Sequence, residues 1–235
     1  MSIQTVLFDL DGTLLPMDQD LFVKTYFKRL AAKLAPYGYE PAQLVDAIWA
    51  GTASMIRNNG RQSNENTFWN TFTGIFGLKA LEHLPVFEDF YANEFQSAQA
   101  VCGHNVHASE VIALAKEKGL RVALATNPIF PAIATESRIR WSGLSPEDFE
   151  LYTTYENSRF CKPNPEYYRD ILAQLNVKPE ECLMVGNDVE EDMVAQTLGM
   201  QVFLLTDCLI NQKNADISVY PHGGYPELME YICHL

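Results

Sequence analysis

Apolar positions along the chain change rhythm twice. The first run, Ile3 to Phe8, is β-prone and largely apolar, as a strand buried on both faces of a parallel sheet should be. A helical period then takes over. Leu21, Phe22, Tyr26, Leu30 and Leu34 form a stripe that ends near Pro36 and Gly38, and a second helix is predicted after Pro41, carrying Leu44, Val45, Ile48 and Trp49. Asn58-Asn59-Gly60 stops it. Ser63 starts a third helix with Phe68, Trp69, Phe72, Ile75 and Phe76 at helical spacing, and a fourth runs from about Val86 through Phe90, Tyr91 and Phe95. These aromatic stripes are read as helix packing, not as a cofactor platform. Nothing in residues 16–100 reads as a strand.

From Ser109 helices and strands alternate. A helix to Lys118 precedes the strand Leu120–Ala125, and a helix from Ile129 to Trp141 precedes a short strand at Leu151–Thr154. A helix from Glu166 to Leu175, the strand Cys182–Val185, a helix from Met193 to Leu198 and the strand Gln201–Leu205 follow, then a polar tail and a last short helix. Strands alternating with helices imply right-handed crossovers and an α/β fold, with a doubly wound, mainly parallel sheet. Residues 1–15 and 101–235 are expected to form that core, with 16–100 as a helical insertion after the first strand. Ligands of such sheets bind at the carboxyl ends of the strands.

The chemistry begins at the first of those ends, in Asp9-Leu10-Asp11-Gly12-Thr13. Carboxylates two apart on a strand point the same way, roughly 7 Å from one another. Their repulsion calls for a raised pKa or a hard divalent cation, Mg²⁺ above all. Asp-Gly between apolar residues is also a hairpin signal. That reading must account for Thr126-Asn127, Lys162-Pro163 and Gly186-Asn187-Asp188 with Asp192, each at or just beyond a strand-like segment.

Together, and in this order, these motifs resemble the haloacid dehalogenase-like (HAD) superfamily of phosphatases, over nearly the whole chain. The resemblance implies a Rossmann-like core and a helical cap domain formed by the insertion. It also implies that Asp9 is the nucleophile, forming an aspartyl-phosphate. Asp11 would protonate the leaving oxygen and then activate water, Thr126 and Asn127 would donate to the phosphoryl oxygens, and Lys162 would neutralise charge developing on them. Asp9 and Asp11 would hold Mg²⁺ together with the acidic cluster at Asp188 and Asp192. In this sequence Asn187 stands where many members carry aspartate, so either Asn187 or Asp188 is the ligand, and Asp188 is favoured because an anion binds Mg²⁺ better than an amide. Glu190 and Glu191 are read as solvated surface. In the insertion, the polar link Arg57–Gln62 is either a solvated turn or a specificity loop, with Arg61 touching the non-reacting part of the substrate.

Composition narrows the partners. The net charge of -13 disfavours nucleic acid and anionic membranes, while a small phosphorylated metabolite can still be captured by local cations and a metal. The five scattered cysteines, never spaced Cys-x-x-Cys, read as reduced thiols of a cytoplasmic protein, a monomer or homodimer. No leader or membrane span is expected. The expected activity is that of a Mg²⁺-dependent phosphatase. A phosphomutase or a dehalogenase-type hydrolase is the alternative on the same scaffold. A dehalogenase has no alkoxide to protonate and needs no metal, so Asp11 and the cluster at Asp188 count against it.

Overall fold

Five strands form one sheet in the computed structural model, which describes residues 2–235: Thr5–Phe8 (β1), Arg121–Leu124 (β2), Cys182–Gly186 (β3), Gln201–Leu205 (β4) and His222–Gly223 (β5). Their order is β2-β1-β3-β4-β5 and every pairing is parallel. Phe8 pairs with Leu124 on one side and Val185 on the other, so the adjacent strands β2, β1 and β3 end level. Asp9, Thr126 and Asn187 therefore leave the sheet along one edge.

The alternation of strand residues builds two apolar layers. Val6, Phe8, Leu124 and Val185 face one, while Leu7, Ala123, Met184 and Leu204 face the other. Helices His107–Glu117 (α5), Ala132–Trp141 (α6) and Tyr225–Cys233 (α8) contribute to the first layer, and Pro165–Leu175 (α7) to the second. Covering both faces is what an all-parallel sheet requires.

Between β1 and β2 stand the helices Gln19–Leu34 (α1), Pro41–Ile56 (α2), Asn64–Phe76 (α3) and Leu84–Ala92 (α4), then a 3₁₀ segment, Glu94–Val101. Their starts follow from local chemistry. The side chains of Asp18, Glu40 and Ser63 each accept a first-turn amide, and Pro41 occupies the position where a missing N–H costs nothing. The first apolar layer continues unbroken into these helices through Phe22, Tyr26, Phe72, Phe90 and Phe95. The start of α3 is also bonded to the core. Buried Asn64 donates from its Nδ2 to the carbonyls of Pro128 (3.2 Å) and Phe160 (3.3 Å), and its amide donates to Ser158 O at 2.8 Å.

Four expectations are adjusted. Residues 151–154 form no strand, only a bridge from Tyr152 to Leu124. Met193–Leu198 is a 3₁₀ turn, and the fourth insertion helix gives way to 3₁₀ before Phe95. The tail supplies β5, whose His222-Gly223 has no strand propensity and pairs because β4 offers an open edge.

Candidate active site

The carboxylate of Asp9, 6% exposed, is held from both sides at the end of β1. Lys162 Nζ donates to its Oδ1 at 2.8 Å, and Thr13 Oγ1 lies 3.1 Å from its Oδ2. Gly12 makes this turn possible. Its φ is +88°, and a Cβ there would lie 2.3 Å from Asn187 Nδ2. Lys162 is itself anchored by Asp192, whose Oδ1 accepts from Nζ at 2.6 Å and whose Oδ2 accepts from the Asp188 amide at 2.9 Å. Gly186 clears the way for that carboxylate, since a Cβ there would lie 2.1 Å from Asp192 Oδ2. Burial pulls the Lys162 ammonium down, but Asp192 and Asp9 outweigh it and hold it well above its ordinary value. A fixed cation thus stands against the Asp9 carboxylate.

Asp11 turns another way, toward Arg138 on α6, which sequence reasoning did not single out. Arg138 is fully buried, ion-paired to Asp11 Oδ2, and lies 4.5 Å from the centroid of the Phe130 ring. The Asp11 side chain keeps 23% of its surface open, yet its Oδ1 is buried without a hydrogen-bond partner. Burial pushes its carboxyl above the usual range; Arg138 opposes this and Asp9 adds to it. No residue pattern could announce Arg138, which sits on an ordinary helix far along the chain.

Past β2, the Thr126 carbonyl accepts from Thr153 Oγ1 (2.6 Å) and Tyr167 OH (2.8 Å), which fixes the loop. Asn127 Nδ2 bonds both carboxylate oxygens of Glu191, at 3.1 and 3.0 Å, and leaves its Oδ1 buried and unpartnered. Glu191 is therefore not solvated surface: burial pushes its carboxyl up to about 7 against the pull of Lys162, with Asp188 and Asp9 adding to the rise. Glu190 is exposed, as expected, and pairs with Lys213. Asp9, Asp11, Thr126, Asn127, Asp188 and Glu191 all line one cavity of about 160 Å³.

The donor set suits a hard cation. Asp188 Oδ1 accepts the amides of Glu190 (2.7 Å) and Glu191 (2.9 Å), and its Oδ2 has no protein partner among the described residues. With Asp9 and the orphaned Asp11 Oδ1 on the same cavity, oxygen donors are available, and hard cations take oxygen. Among the described residues no three His, Cys, Asp or Glu side chains form a ready cage, so Mg²⁺ would complete its shell with water or substrate oxygens, as it commonly does.

Three sequence candidates have their side chains placed elsewhere. Asn187 Oδ1 lies 3.0 Å from Thr13 Oγ1, and its Nδ2 donates to Cys208 O at 2.6 Å, so its polar ends are engaged. Both Asp192 oxygens are taken, by Lys162 and by the Asp188 amide, so its carboxylate anchors the lysine. Arg61 is exposed and lines neither this cavity nor its neighbour, because the link 57–62 folds on itself, Asn58 Nδ2 donating to Gln62 O at 3.0 Å.

A family model described as haloacid dehalogenase-like hydrolase matches residues 3–195. The chain belongs to the haloacid dehalogenase-like hydrolases. Among curated relatives, this hydrolase is 26% identical over 199 residues to "Pyrophosphatase PpaX" of Bacillus cereus, covering 85% of this chain and 81% of the relative. Among solved structures, it resembles a HAD phosphatase from Thermococcus onnurineus (TM-score 0.62, 18% identity, 98% of each chain covered). It also resembles the putative HAD-hydrolase YfnB of Bacillus subtilis, solved bound to magnesium (TM-score 0.57, 17% identity, 99% of each chain). At those identities the structural likeness speaks for the fold.

Proposed function

We propose that this haloacid dehalogenase-like phosphatase hydrolyses a small phosphomonoester through an aspartyl-phosphate on Asp9, with Mg²⁺ as cofactor. The observation that carries the reading is the Asp9 carboxylate, fixed between Lys162 and Thr13 and opening on a cavity lined by Asp11, Asn127 and Asp188. An oxygen of Asp9 attacks phosphorus and the bond to the leaving oxygen breaks. Asp11, whose carboxyl is raised, supplies the proton to that oxygen. It then takes a proton from the water that cleaves the acyl phosphate, returning Asp9 as a free carboxylate. Lys162 compensates charge on the transferring group throughout, and the Thr126 hydroxyl and the Asn127 backbone amide orient its oxygens. Mg²⁺, held by Asp9 and Asp188 with Asp11 beside it, would supply further charge neutralisation when bound. Closing helices α1–α4 over the strand ends is the role we assign to the insertion, as a cap that excludes bulk water.

The test is hydrolysis of p-nitrophenyl phosphate with and without Mg²⁺, joined to acid quenching of a single turnover with ³²P-labelled substrate. Label retained on the wild-type protein and absent from Asp9→Asn is the expected result. Full activity after exhaustive EDTA treatment would remove the metal from the reading.

A further inference from the structure

The site cavity does not stand alone. Val23, Ile129 and Phe130 are shared with a second cavity of about 520 Å³ that lies between the helices of the insertion and residues 129–133 and 155–156 of the α/β part. Its walls are aromatic: Tyr26, Trp49, Trp69, Tyr91, Phe130 and Tyr155 all contribute. A volume of that order matches small-molecule sites, and it is about three times the space around the Asp9 carboxylate.

The charges on its wall are all of one sign. Glu65, Glu88 and Glu156 line it, and no lysine, arginine or histidine does among the described lining residues. Glu156 is engaged at the start of α6, where its two oxygens accept the Ala132 amide at 2.9 and 3.0 Å. Glu65, at the start of α3, has no basic partner among the described residues, and burial and Glu156 together raise its carboxyl. Arg138 lies behind the Phe130 ring and is already paired with Asp11. A leaving group carrying a second phosphate or a carboxylate would enter this space against uncompensated like charge. An aromatic group would meet ring faces, and an ammonium on it would meet both the rings and Glu65.

We propose that this cavity receives the leaving group and selects phosphate monoesters of aromatic alcohols without a second anionic group, preferring those that bear an amine. The proposal rests on the phosphatase reading for the chemistry, while the selectivity belongs to the cavity.

Esters of phenols of matched acidity separate selectivity from leaving-group ability. With Mg²⁺ present, kcat/KM should fall from tyramine O-phosphate through 4-ethylphenyl phosphate to 4-(2-carboxyethyl)phenyl phosphate, by about tenfold or more across the series, the worth of one charge contact. Pyrophosphate and phosphoglycolate should lie below all three, and Glu65→Gln should draw the two charged aryl esters together. Equal or reversed rates across the series, or preference for pyrophosphate or phosphoglycolate, would overturn the assignment. Binding of the bare phenols, followed by tryptophan fluorescence, reads the cavity without any turnover. Tyramine should bind about tenfold more tightly than 3-(4-hydroxyphenyl)propionate, and equal or reversed affinities would likewise overturn it. If no ester were hydrolysed while that affinity difference held, the phosphatase reading would fail and the cavity's selectivity would stand.

Discussion

The two adjoining cavities differ in how their charge is managed. At the strand ends, Lys162 meets Asp9 and Asp192, and Arg138 meets Asp11, so nearly every buried charge has a partner. Across Phe130 the walls are aromatic, and among the described lining residues the carboxylates have no lysine or arginine beside them. The first arrangement is costly to disturb, because removing one member of a buried pair strands the other in a poorly solvating medium. The second is tolerant, since an aromatic wall loses area but leaves no orphaned charge. On the proposed reading, reaction chemistry belongs to the sheet edge and discrimination to the aromatic cavity, whose side chains can vary without stranding a charge at that edge.

Asp9→Asn tests that division at its extreme. Turnover of p-nitrophenyl phosphate should fall to background because an amide is a poor nucleophile, yet the circular dichroism spectrum should be unchanged. Appreciable residual rate in that variant would take Asp9 out of the role.

Lys162→Ala should damage stability as well as activity. It leaves Asp192 and Asp9 without their shared cation and should cost about 3–5 kcal/mol in urea unfolding. Lys162→Met combined with Asp192→Asn removes both charges and should regain much of that stability while staying inactive. A double variant no more stable than Lys162→Ala would mean that lost packing, not stranded charge, was the cause.

Glu191 lines the cavity at the strand ends, but its hydrogen-bond partner there is the Asn127 amide and not a cation. Its folded carboxyl titrates at about 7 against an ordinary 4.5, so the folded state holds a proton that the unfolded chain has released between those pH values. Stability from this group is complete below pH 4.5 and is lost as pH rises to 7. Glu191→Gln keeps a neutral partner for Asn127 and should flatten that slope, by about 1–3 kcal/mol across the window. An unchanged pH–stability profile would mean Glu191 stays ionised in the folded protein.

The same contrast decides what was legible in the sequence. Asp9, Asp11, Thr126, Lys162 and Asp188 announce themselves because each follows a strand or sits in a short motif, and the level ends of β1, β2 and β3 bring their segments together. Arg138 and Glu191 were not legible. Each owes its importance to a partner distant in sequence, Asp11 or Asn127, and neither an arginine on a helix nor a glutamate in a turn carries a local sign of burial. Asn187 reads as a ligand candidate because its position is visible in the sequence, whereas the Thr13 and Cys208 groups that occupy it are not. Phe72 of the α3 stripe packs in the core while Phe68 and Trp69 line the larger cavity, because spacing along a helix cannot tell a closed core from a core with a cavity in it.

Arg61 gives the smallest expected effect. The polar link between α2 and α3 invites a specificity role, and an arginine is the residue most suited to hold an anionic substrate tail. The folded link offers no route for it: Asn59 Oδ1 accepts the Arg61 amide at 3.2 Å in a tight turn, Asn58 is tied to Asn64, and the Arg61 side chain is exposed. An exposed side chain without a fixed partner contributes within about 0.5 kcal/mol to stability. Arg61→Ala should therefore leave the unfolding midpoint and kcat/KM nearly unchanged on cationic, neutral and anionic aryl phosphates alike. A selective loss on the anionic ester would show that this loop swings over the cavity in the working enzyme, and that a cation does reach the aromatic side of Phe130 after all.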